Sequence, residues 1–179
     1  LQTPIVMLPA RLIFDKGVSE FVEAAKIIKD KNENVRFVLV GDIDPENPSS
    51  VSEKQLRDWL SKSIVEWWGF QNKMEEIIPK AYMIVLPSYR EGMPKVLLEA
   101  AACGRAIVTT DIPGCRDSIV LNKTGLLVPS RNIDYLVIAI RKLLDNRKMC
   151  LDMGEAGRKL AEEKFNVKEV VEKHMEIYE

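Results

Sequence analysis

Six short apolar runs, each followed by a segment with helical spacing, constrain this 179-residue chain more than anything else in it. They fall at residues 5–8, 35–41, 64–68, 82–86, 106–109 and 125–128. Most are nearly continuous in Val, Ile, Leu, Met or Phe, as strands buried on both faces are. Between the first two, Val18, Phe21, Val22, Ala25 and Ile28 share one helical face before residues 32–34 break the segment. Strand, helix, strand is the unit of a parallel sheet. Ser52 and Gln55 form a capping box that starts a helix carrying Leu56, Trp59 and Leu60, and a further helix is expected around residues 74–78. Three helical segments close the chain. Ile133, Leu136, Val137, Ile140 and Leu144 mark the first, a Gly-interrupted stretch at 149–164 the second, and Val167, Val170, Val171, His174, Met175 and Tyr178 the third. The expected fold is α/β: a doubly wound, Rossmann-like parallel sheet of about six strands, in one domain with no internal repeat.

Ligands of such sheets bind at the carboxyl ends of the strands. The loops at 10–17, 41–48, 69–72, 87–94 and 110–116 leave those ends. The stretch 89–105 stands out among them. Gly92 and Pro94 open a helix expected to run to about Ala102 and to stop at Gly104, since Pro suits a first helical position and Gly the place just past the last turn. Val96, Leu97, Leu98, Ala100, Ala101 and Ala102 leave it no continuous wet face, so it reads as buried. Glu99 is then a carboxylate that needs a partner. Glu91 precedes the helix, with seven residues between the two acids. Free backbone N–H groups at Gly92, Met93 and Lys95 suit an anion. A plainer reading of the same letters pairs Lys95 with Glu99 on the surface, worth ~0.3–0.5 kcal/mol, and leaves Glu91 an ordinary loop residue.

Arg11 and Lys16 lie in the first loop. Two cations beside a helix start suit a diphosphate, with Gly17 permitting close backbone approach, and the alternative is solvated loop charge. Asp42 and Asp44 invite a divalent metal, but a Pro-rich turn whose Asp side chains bond their own backbone explains them and is the preferred reading. His174, on an apolar stripe, reads as packed. No His, Cys or Ser is placed for a nucleophile–base pair. The absence of a Gly-x-Gly-x-x-Gly or Gly-Lys-Thr loop argues against dinucleotide oxidoreductases and nucleoside triphosphatases.

Composition narrows the classes further. A net charge of -1 gives no electrostatic case for nucleic acid. No apolar run approaches the roughly 18 residues of a membrane span. Cys103, Cys115 and Cys150 are odd in number and lack metal spacing, which fits a reducing cytosol, and no secretory leader is expected. The chain starts at Leu1-Gln2 and enters a strand almost at once, which reads as a piece of a longer protein.

Together, Arg11 with Lys16-Gly17, then Val40-Gly41-Asp42, then Glu91 and Glu99 resemble family 4 of the retaining glycosyltransferases, the group 1 enzymes. The resemblance covers essentially the whole chain. It implies the C-terminal, donor-binding half of a GT-B fold, with the N-terminal acceptor domain outside residues 1–179. The stretches 41–48, 87–92 and 113–116 resemble a bacterial subgroup that builds surface polysaccharide, lipopolysaccharide among them, or lipid-linked oligosaccharide, often from UDP-N-acetylated sugars. By this resemblance Arg11 and Lys16 contact the donor diphosphate, Glu91 faces the transferred sugar and Glu99 holds ribose hydroxyls. Gly17, Gly41 and the backbone of Gly92, Met93, Pro94, Lys95 and Val96 meet sugar and phosphates, and Phe70 and Gln71 line the base. Two departures stand out: Ile43 occupies the usual Gly after Gly-Asp, and Pro113-Gly114-Cys115-Arg116-Asp117 replaces the usual Gly-Gly-x-x-Glu.

The implied donor is a UDP-sugar used without metal or other cofactor. The implied partners are that donor and a glycan or lipid-linked acceptor held by the N-terminal domain, in the cytoplasm, with the full-length enzyme peripheral to the inner face of the membrane. The isolated domain is expected to bind but not turn over, and its last helix to pack partly on the missing domain. Three alternatives stay open: a glycosidase using Glu91 and Glu99 as paired acids, a GT-B epimerase or phosphorylase, and a non-catalytic nucleotide-sugar-binding module.

Overall fold

The computed structural model describes residues 3–31 and 34–164. All six expected strands form: β1 (Ile5–Pro9), β2 (Arg36–Val40), β3 (Glu66–Trp67), β4 (Met83–Leu86), β5 (Ala106–Thr110) and β6 (Gly125–Val128). They make one parallel sheet in the order β3-β2-β1-β4-β5-β6. Chain order reverses between β1 and β4, so a crevice opens there at the carboxyl edge.

Helices α1 (Val18–Lys29), α2 (Glu53–Ser61), α3 (Met74–Ile77), α4 (Lys95–Ala102), α5 (Pro113–Asp117), α6 (Ile133–Asp145) and α7 (Arg147–Lys164) connect and cover the strands. Side chains alternate along each strand, so the sheet feeds two cores. Val6, Leu8, Phe37, Leu39, Met83 and Val85 meet α1 and α6 on one face, where Phe21 and Phe37 stack edge to face at 5.5 Å. Met7, Val38, Ile84 and Ile107 meet α4 and the Ile77–Ile78 turn on the other. The predicted capping box is present: Ser52 accepts from the Gln55 N–H while Gln55 Oε1 accepts from the Ser52 N–H. The stretch read as Gly-interrupted is one helix, α7, with Gly154 and Gly157 facing α4 and its C-terminal turn.

Several expectations need correcting. The third strand shrinks from residues 64–68 to Glu66–Trp67, because it is an edge strand paired only with β2. Arg36 Nε and Nη2 hold it there, each donating at 2.7 Å to the Glu66 carboxylate. Pro94 is the N-cap of α4 rather than its first helical residue, with an extended ψ of 108°. The other end is as read. Gly104 takes φ 65°, its N–H donates to the Ala101 carbonyl and that of Arg105 to Ala100, which is a Schellman close. Helix α4 is not buried all round: Leu97, Ala100 and Ala101 pack inward, whereas Lys95 and Ala102 are exposed and Val96 and Glu99 half-buried. Among the described residues no helix is long and apolar enough to cross a membrane. The expected third C-terminal helix, including His174, lies outside the described residues, as do Asn32 and Glu33.

Candidate functional site

A cleft of about 500 Å³ opens at the carboxyl edge between the two halves of the sheet. The ends of β1 and β2 form its floor through Pro9, Ala10, Val40 and Gly41. Phe70, Gln71 and Met74 form one wall, and Lys95, Val96 and Glu99 of α4 the other. Arg11, Ile43 and Asp44 line it as well. Seven predicted site residues therefore share one cavity: Arg11, Gly41, Phe70, Gln71, Lys95, Val96 and Glu99.

Local structure explains how each is presented. The Gly41 N–H donates to the Gly69 carbonyl at 2.8 Å, and Trp67 Nε1 donates to the Gly41 carbonyl at 2.7 Å. These bonds tie the β2 and β3 ends together. Asp42 Oδ1 accepts from the Phe70 N–H at 3.1 Å, which fixes the backbone below a ring that is 65% exposed. A broad apolar face held open to solvent can stack a planar ring. Gln71 Nε2 donates to the Trp68 carbonyl at 2.7 Å. At α4, Pro94 supplies no side-chain cap, and the N–H groups of Lys95 and Val96 have no hydrogen bond among the described residues. That leaves open donors and the positive end of the helix dipole beside the cleft.

Glu99 corrects the sequence reading. It is not a sequestered carboxylate: its side chain is 31% exposed and lies 3.3 Å from Lys95 Nζ. The plainer pairing is present, and the acid still lines the cleft. Ile43, where the resembled family has Gly, packs against the core and narrows the same cavity. Asp42 and Asp44 also differ from the expected turn, since their carboxylates bond outside it. Asp42 takes the Phe70 N–H, and Asp44 Oδ2 takes Arg11 Nη1 at 3.0 Å. Ser50 and Asn47 supply the local bonds instead, to the N–H groups of Asp44 and Ser49. Among the described residues no three His, Cys, Asp or Glu side chains converge as metal ligands would.

The remaining predicted residues form a platform beside the cleft, outside its lining. Lys16 Nζ donates to Glu91 Oε1 at 2.5 Å, with side chains 23% and 10% exposed. Arg11 and Lys16, read as countercharges for a diphosphate, thus already have carboxylate partners in Asp44 and Glu91. Gly17, in the left-handed region at φ 71°, is approached by the chain itself: a Cβ there would lie 2.2 Å from the Pro87 carbonyl oxygen. The loop bearing Glu91 is thereby seated on the loop after β1. The Tyr89 N–H donates to the Asp15 carbonyl at 2.8 Å, and Arg90 pairs with Asp15 at 3.1 Å. Beneath them the Tyr89 hydroxyl donates to buried Glu20, with Arg131 over its ring at 4.4 Å. Burial first, then the bond to Glu20, pushes the Tyr89 hydroxyl up to about 12. Gly92 and Met93 are exposed and Pro94 is buried.

Two residues at this platform were given no role in the sequence reading. Ser88, fully buried, donates to Glu91 Oε1 at 2.7 Å. Gly114 lets α5 abut the same loop, because a Cβ there would fall 1.4 Å from the Gly92 carbonyl oxygen. Ser88 was detectable as a polar residue directly after an apolar strand and Pro. Gly114 stood within the stretch that replaces the usual Gly-Gly-x-x-Glu, with no packing role read from it.

The sequence matches the family of glycosyl transferases group 1 over residues 1–160. The chain belongs to that family. Among curated relatives, an N,N'-diacetylbacillosaminyl-diphospho-undecaprenol alpha-1,3-N-acetylgalactosaminyltransferase of Campylobacter jejuni is 40% identical over 152 residues, 85% of this chain and 38% of the relative. A capsular polysaccharide biosynthesis glycosyltransferase, CapM, of Staphylococcus aureus is 29% identical, over 87% of this chain and 40% of its own length. The chain thus spans less than half the length of these two relatives. A solved Anabaena protein, HepE in complex with UDP, superposes with a TM-score of 0.87 at 19% identity, over 98% of this chain and 48% of that one. At that identity the likeness concerns the fold, and it agrees with the doubly wound sheet described above.

Proposed function

We propose that this chain is the donor-binding domain of a retaining glycosyltransferase that draws its sugar from a nucleoside diphosphate, UDP above all, and needs no metal. An acceptor domain N-terminal to this sequence would complete the enzyme. The observation that carries the reading is the cleft itself. It sets Arg11, the uncapped start of α4 and the Glu99 carboxylate around one cavity at the switch point of the sheet. An anion fits the first two, and a polyhydroxyl group fits the third.

In this reading the base stacks on Phe70 beside Gln71, and Glu99 accepts hydrogen bonds from the ribose. The diphosphate lies between Arg11 and the first N–H groups of α4, close to Gly41 and Gly92. Lys16 and Arg11 stabilise the charge that grows on the departing diphosphate, which is electrostatic catalysis by fixed donors. Glu91, held beside Met93 and Pro94, faces the transferred sugar and favours positive charge at the anomeric carbon. The names of the Campylobacter and Staphylococcus relatives support a lipid-linked or polysaccharide acceptor. Our reading further puts the work on the cytoplasmic side, with the full-length enzyme peripheral to the membrane. The UDP of the Anabaena complex supports the choice of nucleotide. A glycosidase is less well supported, because only Glu99 of the two acids lines the cleft.

Thermal shift with UDP-, GDP- and ADP-sugars tests the donor class. Saturation at a hundred times Kd adds about 2.7 kcal/mol to stability, a rise easily read. Calorimetry then tests the geometry: Glu99→Gln is expected to weaken UDP at least several-fold. UDP binding as tight as the parent's sinks the ribose assignment, and loss of binding on chelation sinks metal independence.

A further inference from the structure

The two hydrogen bonds that reach Glu91 converge on a single oxygen. Lys16 Nζ at 2.5 Å and Ser88 Oγ at 2.7 Å both donate to Oε1. Oε2 takes no hydrogen bond from the described residues, nor is it a buried orphan. One oxygen is anchored, and the other has its acceptor capacity open.

The two anchors differ in kind. Lys16 carries three donors on a flexible stem, and a phosphate arriving nearby competes with Glu91 for them. Ser88 cannot be drawn away. It is fully buried just past β4, with only Pro87 between. Its carbonyl accepts from Thr110 Oγ1 at 2.6 Å, and Thr110 is itself fully buried at the end of β5. On either side of it, the Pro87 carbonyl is lodged against Gly17 and the Tyr89 N–H is bonded to Asp15. The serine side chain is short and its backbone fixed, so its hydroxyl oxygen has a defined place.

We infer that Ser88 is a positioning residue for sugar recognition: it holds Glu91 by Oε1, keeping Oε2 turned to the donor sugar while Lys16 is shared with the donor phosphates. The inference rests on the donor-domain reading given above. It adds a division of labour, in which the buried serine sets the carboxylate's aim and the lysine is free to follow charge. Ser88 touches no substrate and acts only through Glu91.

The test uses this chain with two probes, UDP and UDP-N-acetylgalactosamine, titrated by calorimetry. Ser88→Ala removes the hydroxyl without adding bulk. It is expected to leave the UDP affinity within about twofold of the parent and to weaken the UDP-sugar about tenfold, the size of one lost hydrogen bond to a charged group. In a Glu91→Ala background, Ser88→Ala is expected to change neither affinity, because the two residues act as one unit. Unaltered UDP-sugar affinity in Ser88→Ala overturns the inference. So does a loss of equal size with and without Glu91, or a matching loss for UDP, which marks general damage to the loop. A parent chain that binds UDP but gains nothing from the sugar overturns it while leaving the nucleotide site standing. A parent that binds neither probe overturns the UDP-donor reading and this inference with it.

Discussion

Lys16 Nζ lies 2.5 Å from Glu91 Oε1, joining the loop after β1 to the loop after β4 across the point where the sheet reverses its chain order. Both side chains are largely buried, so each is the other's main compensation for lost water. Removing one partner of such a pair costs more than the pair contributes, because the remaining charge is stranded. Lys16→Met is therefore expected to lose about 1–3 kcal/mol of stability. Adding Glu91→Gln is expected to restore part of it. Urea denaturation of the parent, both single variants and the double variant measures this, and strict additivity counts against the coupling.

At the cleft mouth the balance runs the other way. The Arg11–Asp44 pair is exposed on its cationic side, and pairs of that kind contribute little to folding. Asp44→Asn is expected to leave the unfolding free energy within about 0.5 kcal/mol of the parent. It also releases Arg11 from a competing carboxylate, so under the proposed function UDP is expected to bind several-fold more tightly while uridine, lacking phosphate, is unaffected. Calorimetry with the two ligands separates the charge effect from any change in the base site.

Glycines 92 and 114 face each other with opposite tolerance. Nothing lies within 4 Å of a Cβ added at Gly92, whereas one at Gly114 meets the Gly92 carbonyl oxygen at 1.4 Å. Gly114→Ala must displace backbone, an overpacking cost of at least ~1–3 kcal/mol, and is expected to lower Tm and disturb the Glu91 loop. Gly92→Ala is expected to melt close to the parent. Thermal melts of the two variants, run in parallel, decide it.

The edge of the sheet has an acid limit. Hydrogen bonds from Arg36, chiefly, hold the Glu66 carboxyl below its usual 4.5 in the folded state. The unfolded chain then binds more protons through the acid range, so this contribution is complete above about pH 5 and fades as pH falls through the lowered folded value. Glu66→Gln is expected to be less stable than the parent at pH 7, with the gap closing toward pH 3. Melting temperatures of both proteins across that range check the sign, and a gap that widens in acid contradicts it. The pair is more than a third exposed, so a modest amplitude is expected.

Much of this architecture was legible because strands covered on both faces have no reason to alternate polar with apolar. The runs at β1, β2, β4 and β5 could be nothing wet, and the Ser52–Gln55 box is local enough to read directly. Glu99 misled for an instructive reason. Val96 faces an apolar cleft and Leu97 a core, and the two environments favour the same letters, so the helix looked buried all round. Ser88 is fixed in place, and Gly114 required, by partners brought close only by tertiary folding: Thr110 from the neighbouring strand in one case, the Gly92 carbonyl in the other. Contacts of that kind leave no periodic trace. The pairing of Arg11 with Asp44 was likewise hidden, because a chain of letters does not say which acid a cation will choose.

On the donor-domain reading proposed above, the seating of the Glu91 loop bears on how donor choice could be re-engineered. Two glycines, 17 and 114, are filled by the main chain of residues 87–92, so that segment is masonry rather than a hanging strap. Grafting a relative's loop between β4 and α4 would require remaking the first loop and α5 at the same time. Variation has a cheaper outlet on the opposite wall, where Ile43 and Phe70 line the cavity. A library aimed at changing which nucleotide is accepted should diversify those two positions and leave the Glu91 platform beside the cleft intact.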